Sequence, residues 1–167
     1  MKAKLIIDGK EFEVDISDDV MKTILPKFKT GYERVDSQQH YYYACPDNGV
    51  FETYDVYDIP DNSLYDGGNY YSDKTIAENN SRADKLMRQL RRFAVEQRCV
   101  QPNWRSCSQD KYCIYFDYGM QSLLVKINNS SRTFGAIYFD SERAAKLAID
   151  TFREELTWYF MEYKDSL

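Results

Sequence analysis

The longest helical period in the chain runs from Asp73 to about Arg98, and it constrains everything around it. Ile76, Asn80, Ala83, Met87, Leu90 and Ala94 recur three or four positions apart, with Leu86 and Phe93 beside them. That spacing places an apolar stripe along one face of an amphipathic helix. Ser72 or Asp73 is positioned to cap it, and Pro102 closes the region beyond its end. A lone helix cannot bury such a stripe, so neighbouring elements must cover it.

Those neighbours read mostly as strands. Ala3, Leu5 and Ile7 alternate with other residues, Asp8-Gly9 makes a turn, and Phe12, Val14 and Ile16 alternate on the return. Ser17 caps a short helix carrying Val20, Ile24 and Leu25, which Pro26 ends. His40 to Ala44 and Val50 to Tyr57 form a second hairpin around Pro46-Asp47-Asn48-Gly49. Residues 58–69 read as loop, because they contain Pro60, Asn62, Gly67 and Gly68. Strands follow at Lys111 to Phe116, Ser122 to Ile127 and Thr133 to Phe139. A last helix begins at Asp140 or Ser141 and carries Ala145, Ala148, Phe152, Tyr159 and Tyr163, with a break near Asp150-Thr151.

The expected fold is α+β, with mainly antiparallel sheets and about three helices in the order ββα-ββ-α-βββ-α. The 167 residues suit a single domain, with 1–30 separable as a hairpin-plus-helix subdomain. A chain of this length buries roughly 70% of its unfolded surface and needs no metal or disulfide to fold. Seven glycines and four prolines exclude a collagenous or disordered chain. No apolar run approaches the ~18 residues of a membrane span. Only Leu5, Ile6 and Ile7 separate the opening Met1-Lys2-Ala3-Lys4 from Asp8, so no signal peptide is expected and a cytoplasmic location is.

Two corners echo each other. Gly68-Asn69-Tyr70-Tyr71-Ser72 leads into a helix with Ala77, and Gly135-Ala136-Ile137-Tyr138-Phe139-Asp140 leads into a helix with Ala145. In both, aromatics run into a cap and an alanine follows one turn later. The expected geometry is a strand-to-helix corner whose small residue permits close approach.

Charge is divided sharply along the chain. From Val35 to Asp73 there is no Lys or Arg, while eight acids (Asp36, Asp47, Glu52, Asp55, Asp58, Asp61, Asp66 and Asp73) and eight tyrosines occur. Tyrosine offers large, rigid contact area with a polar tip, and the acids add negative potential. Tyr54, Asp55, Tyr57, Asp58, Asp61, Tyr65 and Asp66 are therefore the expected protein-binding surface, against a solvated loop as the plain alternative. Residues 74–105 are the opposite pole, with eight bases and three acids. Lys85, Arg88 and Arg92 share a helix face and are the alternative expectation, a stripe tracking a phosphate backbone. The net charge of −5 disfavours nucleic acid as the first partner.

Catalytic signals are weak. There is one histidine, His40, and no GxSxG, Walker loop, HExxH or GxGxxG pattern. Cys45, Cys99, Cys107 and Cys113 have no CxxC spacing, and Asp58, Asp61 and Asp66 do not match a calcium loop. No catalytic residue, cofactor or metal is expected, and the four thiols read as ordinary and mostly buried.

Three segments resemble a family of small phage and prophage proteins. Gly68-Asn69-Tyr70-Tyr71-Ser72-Asp73-x-x-x-Ala77-Glu78 is similar to the family's GNYF-x-[S/T]-x-x-x-A-E element, with Tyr71 for Phe and Asp73 for Ser/Thr. Lys111-Tyr112-Cys113-Ile114-Tyr115-Phe116-Asp117 and Gly135-Ala136-Ile137-Tyr138-Phe139-Asp140-Ser141 resemble its later strand and strand-helix elements, and Trp158-Tyr159-Phe160 its C-terminal end. The resemblance covers roughly residues 65–163 and implies a phage context rather than a reaction. In that context the acidic, Tyr-rich segment is similar in kind to anti-CRISPR proteins that occupy a nuclease's basic DNA-binding surface. The resulting expectation is an inhibitor that binds a host defence nuclease of the Cas type. The competing expectations are a nucleic-acid-binding accessory protein and a self-associating phage structural or assembly protein.

Overall fold

The computed structural model describes residues 2–7, 10–15, 17, 29–47, 49–97 and 102–165. The chain divides into two compact units, 1–30 and 31–167. In the first, β1 (Lys2–Ile7) pairs antiparallel with β2 (Lys10–Asp15), with Leu5 opposite Phe12. The Asp8-Gly9 turn and the helix expected after Ser17 lie outside the described residues, as do Cys99 and the end of the long helix at Arg98.

The second unit begins with a hairpin, β3 (His40–Ala44) and β4 (Val50–Tyr54), with His40 opposite Tyr54 and Ala44 opposite Val50. Helix α1 (Ile59–Asp66) follows, where the sequence reads as loop. The residues that suggest a loop serve as helix punctuation instead. Asp58 and Asp61 form a reciprocal capping box, Pro60 lies in the first turn, and Gly67 ends the helix. Helix α2 (Lys74–Glu96) is the expected long helix, capped by the Asp73 carboxylate on the Ile76 N–H at 3.0 Å.

Strands β5 (Tyr112–Asp117), β6 (Ser122–Ile127) and β7 (Tyr138–Phe139) make one antiparallel sheet in the order β6-β5-β7. The final strand has two residues rather than the seven expected, because 133–136 turns back on itself. Helices α3 (Glu142–Thr151) and α4 (Arg153–Met161) meet at Phe152, next to the anticipated break. The Phe152 ring leaves the helix line to pack edge-on against Phe93, with centroids 5.5 Å apart. The architecture is thus α+β with antiparallel sheets, and the described residues hold four helices instead of about three.

The stripe of α2 is buried where its period predicts. Leu86, Leu90 and Ala94 join Phe139, Ala144, Ala145, Ala148, Ile149 and Leu156 in the main core. Ile76 and Ala77, one end of the stripe, pack with Tyr71 beneath the β3–β4 hairpin. The two echoed corners share one spacing. Tyr71, the cap Asp73 and Ala77 match Phe139, the cap Ser141 and Ala145, and both alanines are fully buried. An alanine four residues past the cap lets the helix approach the strand that feeds it.

The Gly68-Asn69-Tyr70-Tyr71 segment works as an extra strand without forming one. Tyr42 and Tyr71 exchange both backbone hydrogen bonds, at 2.8 and 2.9 Å. The Asn69 carboxamide accepts from the Ala44 N–H at 2.8 Å and donates to the Ala44 carbonyl at 2.9 Å, taking the place of a peptide group. Gly31 sits behind this segment at φ +90°, and its carbonyl accepts the Ser72 N–H at 2.8 Å. A Cβ there would lie 2.7 Å from Ile76 Cγ1. Gly68, at φ +71°, has open space around it. Gly31→Ala is therefore expected to destabilise by ~2–4 kcal/mol, the sum of backbone strain and overpacking, whereas Gly68→Ala carries only the strain, ~1 kcal/mol. Urea denaturation of the two variants checks the difference; equal losses would mean that the contact with Ile76 relaxes freely.

Candidate functional site

Arg34 lies one residue before the base-free stretch, and it closes that stretch on itself. Its Nε and Nη2 donate to Asp55 Oδ2 at 2.8 Å and Oδ1 at 3.2 Å, a fork on one carboxylate. Its Nη1 donates to Asn62 Oδ1 of α1 at 2.7 Å. The rings of Tyr57 and Tyr65 flank the guanidinium, with centroids 4.4 and 5.2 Å away.

Asp55 is fully buried. Beyond Arg34, its carboxylate accepts from the Tyr70 hydroxyl at 2.8 Å and the Tyr57 N–H at 2.8 Å. The Arg34 guanidinium, aided by those two donors against the cost of burial, holds the Asp55 carboxyl down at about 2. Burial, reinforced by Asp55, pushes the Tyr70 hydroxyl well above its ordinary range. Tyr70 stacks on Tyr41 at 4.0 Å, and the Tyr41 hydroxyl donates to Asp61 Oδ1 at 2.7 Å. Asp61 also accepts the Val56 N–H at 2.7 Å. Two carboxylates and two tyrosines thereby form one buried polar layer between the hairpin and α1.

This layer divides the expected binding residues. Asp55 and Asp61, expected on the contact surface, are inside the unit, and their oxygens are taken up by internal donors. A carboxylate with that many partners survives burial, whereas a solitary one does not. Tyr54, Tyr57, Asp58, Tyr65 and Asp66 are exposed as expected. Val56 and Ile59 join them at 56% and 82% exposure, though their apolar character suggests a core. The signal for them lay in their setting, two aliphatics within an acidic run.

The exposed face therefore combines Tyr54, Val56, Tyr57 and Ile59 in six consecutive positions with Asp58 among them and Tyr65-Asp66 on α1. Its backbone is held in an uncommon state. Tyr57 has φ +60°, a left-handed conformation that bulky residues rarely adopt. The Asp55 carboxylate fixes its N–H, and its hydroxyl donates to the Val35 carbonyl at 3.1 Å. His40 lies at the hairpin end of this region, 2.7 Å from Glu52 Oε1 and with its ring 4.1 Å from that of Tyr54.

The alternative stripe on α2 is also exposed at Lys85, Arg88 and Arg92. An acid interrupts its positive charge, since Glu96 lies 3.4 Å from Arg92. Arg82 is committed to the fold, pairing with Glu155 at 2.8 Å and covering Trp158 at 4.0 Å. Among the described residues no group of three or more His, Cys, Asp or Glu is arranged to hold a metal, and no helix is long and apolar enough to cross a membrane. Of the described thiols, Cys113 is buried, Cys45 half-buried and Cys107 exposed, so the expectation of mostly buried cysteines fails at Cys107.

No protein-family model, curated protein or solved structure matches this chain.

Two outcomes follow from the buried layer. Arg34→Met strands the Asp55 carboxylate, and is expected to cost ~3–5 kcal/mol in urea denaturation. Arg34→Lys restores only part, because an ammonium cannot make the fork. The Asp55 carboxyl is lowered in the folded state, so its contribution is complete above the ordinary carboxylate range and is lost as pH falls toward about 2. The stability gap between the native protein and Asp55→Asn should shrink between pH 5 and 2; a constant gap would place the stabilisation elsewhere.

Proposed function

We propose that this protein acts by binding another protein through the exposed face of residues 54–59 and 65–66. The observation that carries the reading is the group of outward aromatic and aliphatic side chains on a backbone locked by buried polar contacts. Pre-ordered Tyr side chains lose little freedom on docking, and apolar anchors among polar neighbours are how interfaces concentrate affinity. The partner surface is basic. Asp36, Asp47, Glu52, Asp58 and Asp66 are exposed within the stretch that has no Lys or Arg, and Arg34 is already occupied by Asp55. Burial of Asp55 and Asp61 removes two of the four carboxylates of the expected binding surface, so apolar anchoring takes the larger share.

A basic, nucleic-acid-handling protein of the host cytoplasm is the partner class that fits this charge. Together with the resemblance to phage proteins, that makes inhibition of a defence nuclease, in the manner of anti-CRISPR proteins, the specific form of the proposal. The Gly68–Asp73 element supports the fold in this reading and does not itself contact the partner.

The test is an affinity pull-down from nuclease-treated host lysate, comparing the native chain with a Tyr54→Ser, Ile59→Ser double variant. Both side chains point outward, so circular dichroism should be unchanged. The expected outcome is a protein partner retained after nuclease treatment, with binding weakened at least ~30-fold by the double substitution, as for interface hot spots. A partner held equally well by the double variant would place the interface on another face.

A further inference from the structure

A second surface, built from none of the residues of the aromatic and acidic face, has the opposite chemistry. Arg91 of α2 and Arg132 line an open concavity of about 590 Å³ together with Thr133, Phe134, Gly135, Ala136 and Ile137. No carboxylate is among the described residues that line it. None of the ion pairs among the described residues involves Arg91 or Arg132. Phe134, on its rim, is as exposed as a side chain can be, at 103% of its reference area.

That exposure is built into the backbone. The Ala136 N–H donates to the Thr133 carbonyl at 3.3 Å and closes a four-residue turn. Gly135, third in the turn, has φ +76°, the conformation glycine supplies at that position. Phe134 is second and projects from the corner. The Tyr138 hydroxyl accepts the Thr133 N–H at 2.9 Å and the Asn128 carboxamide at 3.3 Å, anchoring the turn to the sheet. Tyr138 packs edge-on to Trp104 at 4.8 Å, and the Arg132 guanidinium lies 5.8 Å from the Trp104 ring. The arginine therefore stands beside the turn, near an aromatic face and paired with no acid among the described residues.

A solvent-facing ring next to two uncommitted arginines fits a ligand with a planar face and an adjacent anion. We propose that the Arg91–Arg132–Phe134 surface binds single-stranded nucleic acid, with a base stacked on Phe134 and flanking phosphates held by the two guanidiniums. Each element matches the general chemistry of such sites: a ring is a sequence-tolerant platform for any base, and arginine forks onto phosphate oxygens. The contact uses Arg91, on the flank of α2 nearest the turn, rather than the Lys85–Arg88–Arg92 stripe. It is independent of the protein-docking reading, and a protein that seats on a nucleic-acid-handling partner could engage that partner's strand as well.

The test uses the full chain alone, with a fluorescein-labelled 15-nucleotide oligo-dT in anisotropy titrations at 50 and 200 mM salt. The expected result is binding that weakens with salt. Phe134→Ala should weaken it about tenfold with an unchanged salt slope, as for loss of one stacked base. Arg91→Gln with Arg132→Gln should weaken it and lower the slope by ~1.4, the share of two phosphates on a single strand. All three side chains lie outside the core, so circular dichroism should not change. Absence of binding at 50 mM salt overturns the proposal, as does binding lost through Lys85→Gln with Arg92→Gln and untouched by Phe134→Ala. A Phe134→Ala change that alters only the sedimentation of the protein would make the ring a contact between copies, and also overturns it. None of these outcomes depends on the pull-down, so either reading can fail alone.

Discussion

The fork between Arg34 and Asp55 is the contact on which the second unit's first half depends. It joins residues 21 positions apart and occupies the space between a two-stranded hairpin and a two-turn helix. Neither element would be stable alone, since an isolated hairpin is marginal in water and an eight-residue helix lies below the length that sustains itself. Apolar packing is sparse here, so the polar layer of Arg34, Asp55, Tyr70, Tyr41 and Asp61 supplies the specificity that a hydrocarbon core supplies elsewhere. Removing one partner of such a layer costs more than the layer contributes net, because the remainder is left desolvated.

The same layer shapes the surface above it. Asp55 accepts the Tyr57 N–H and so fixes a left-handed residue beside an exposed run of Tyr, Val and Ile. Strain at one residue is tolerated because the surrounding contacts over-determine it. The outer face is consequently held in place and rich in apolar side chains, and the acids that remain on it, Asp58 and Asp66, are exposed. At the 133–136 turn a glycine does for Phe134 what Asp55 does for Tyr57. In both places a large ring is displayed by backbone geometry that the local fold enforces.

Much of the fold was legible because its causes are local. The α2 stripe, the Asp73 cap, the β3 and β6 boundaries and the paired corners rest on period, capping and turn chemistry within a few residues. Helix α1 was missed for a local reason as well: Pro and Gly punctuate both loops and helix ends, and the Asp58-Asp61 capping box needed to be weighed against them. The site was only half legible. Eight acids in 39 residues announce negative charge, yet nothing in their order separates Asp55 and Asp61 from Asp58 and Asp66.

By itself, then, the sequence determined the long helix, the stripe of it that faces inward and the β3 and β6 strands, because those are set by short-range sterics and hydrogen bonding. Tertiary structure alone decided which acids are buried, that Arg34 neutralises one of them, and that Arg91 and Arg132 line one concavity with an exposed phenylalanine. Burial and charge pairing depend on what arrives from distant chain positions. A carboxylate on the surface and one inside look the same until the donors that surround it are in place.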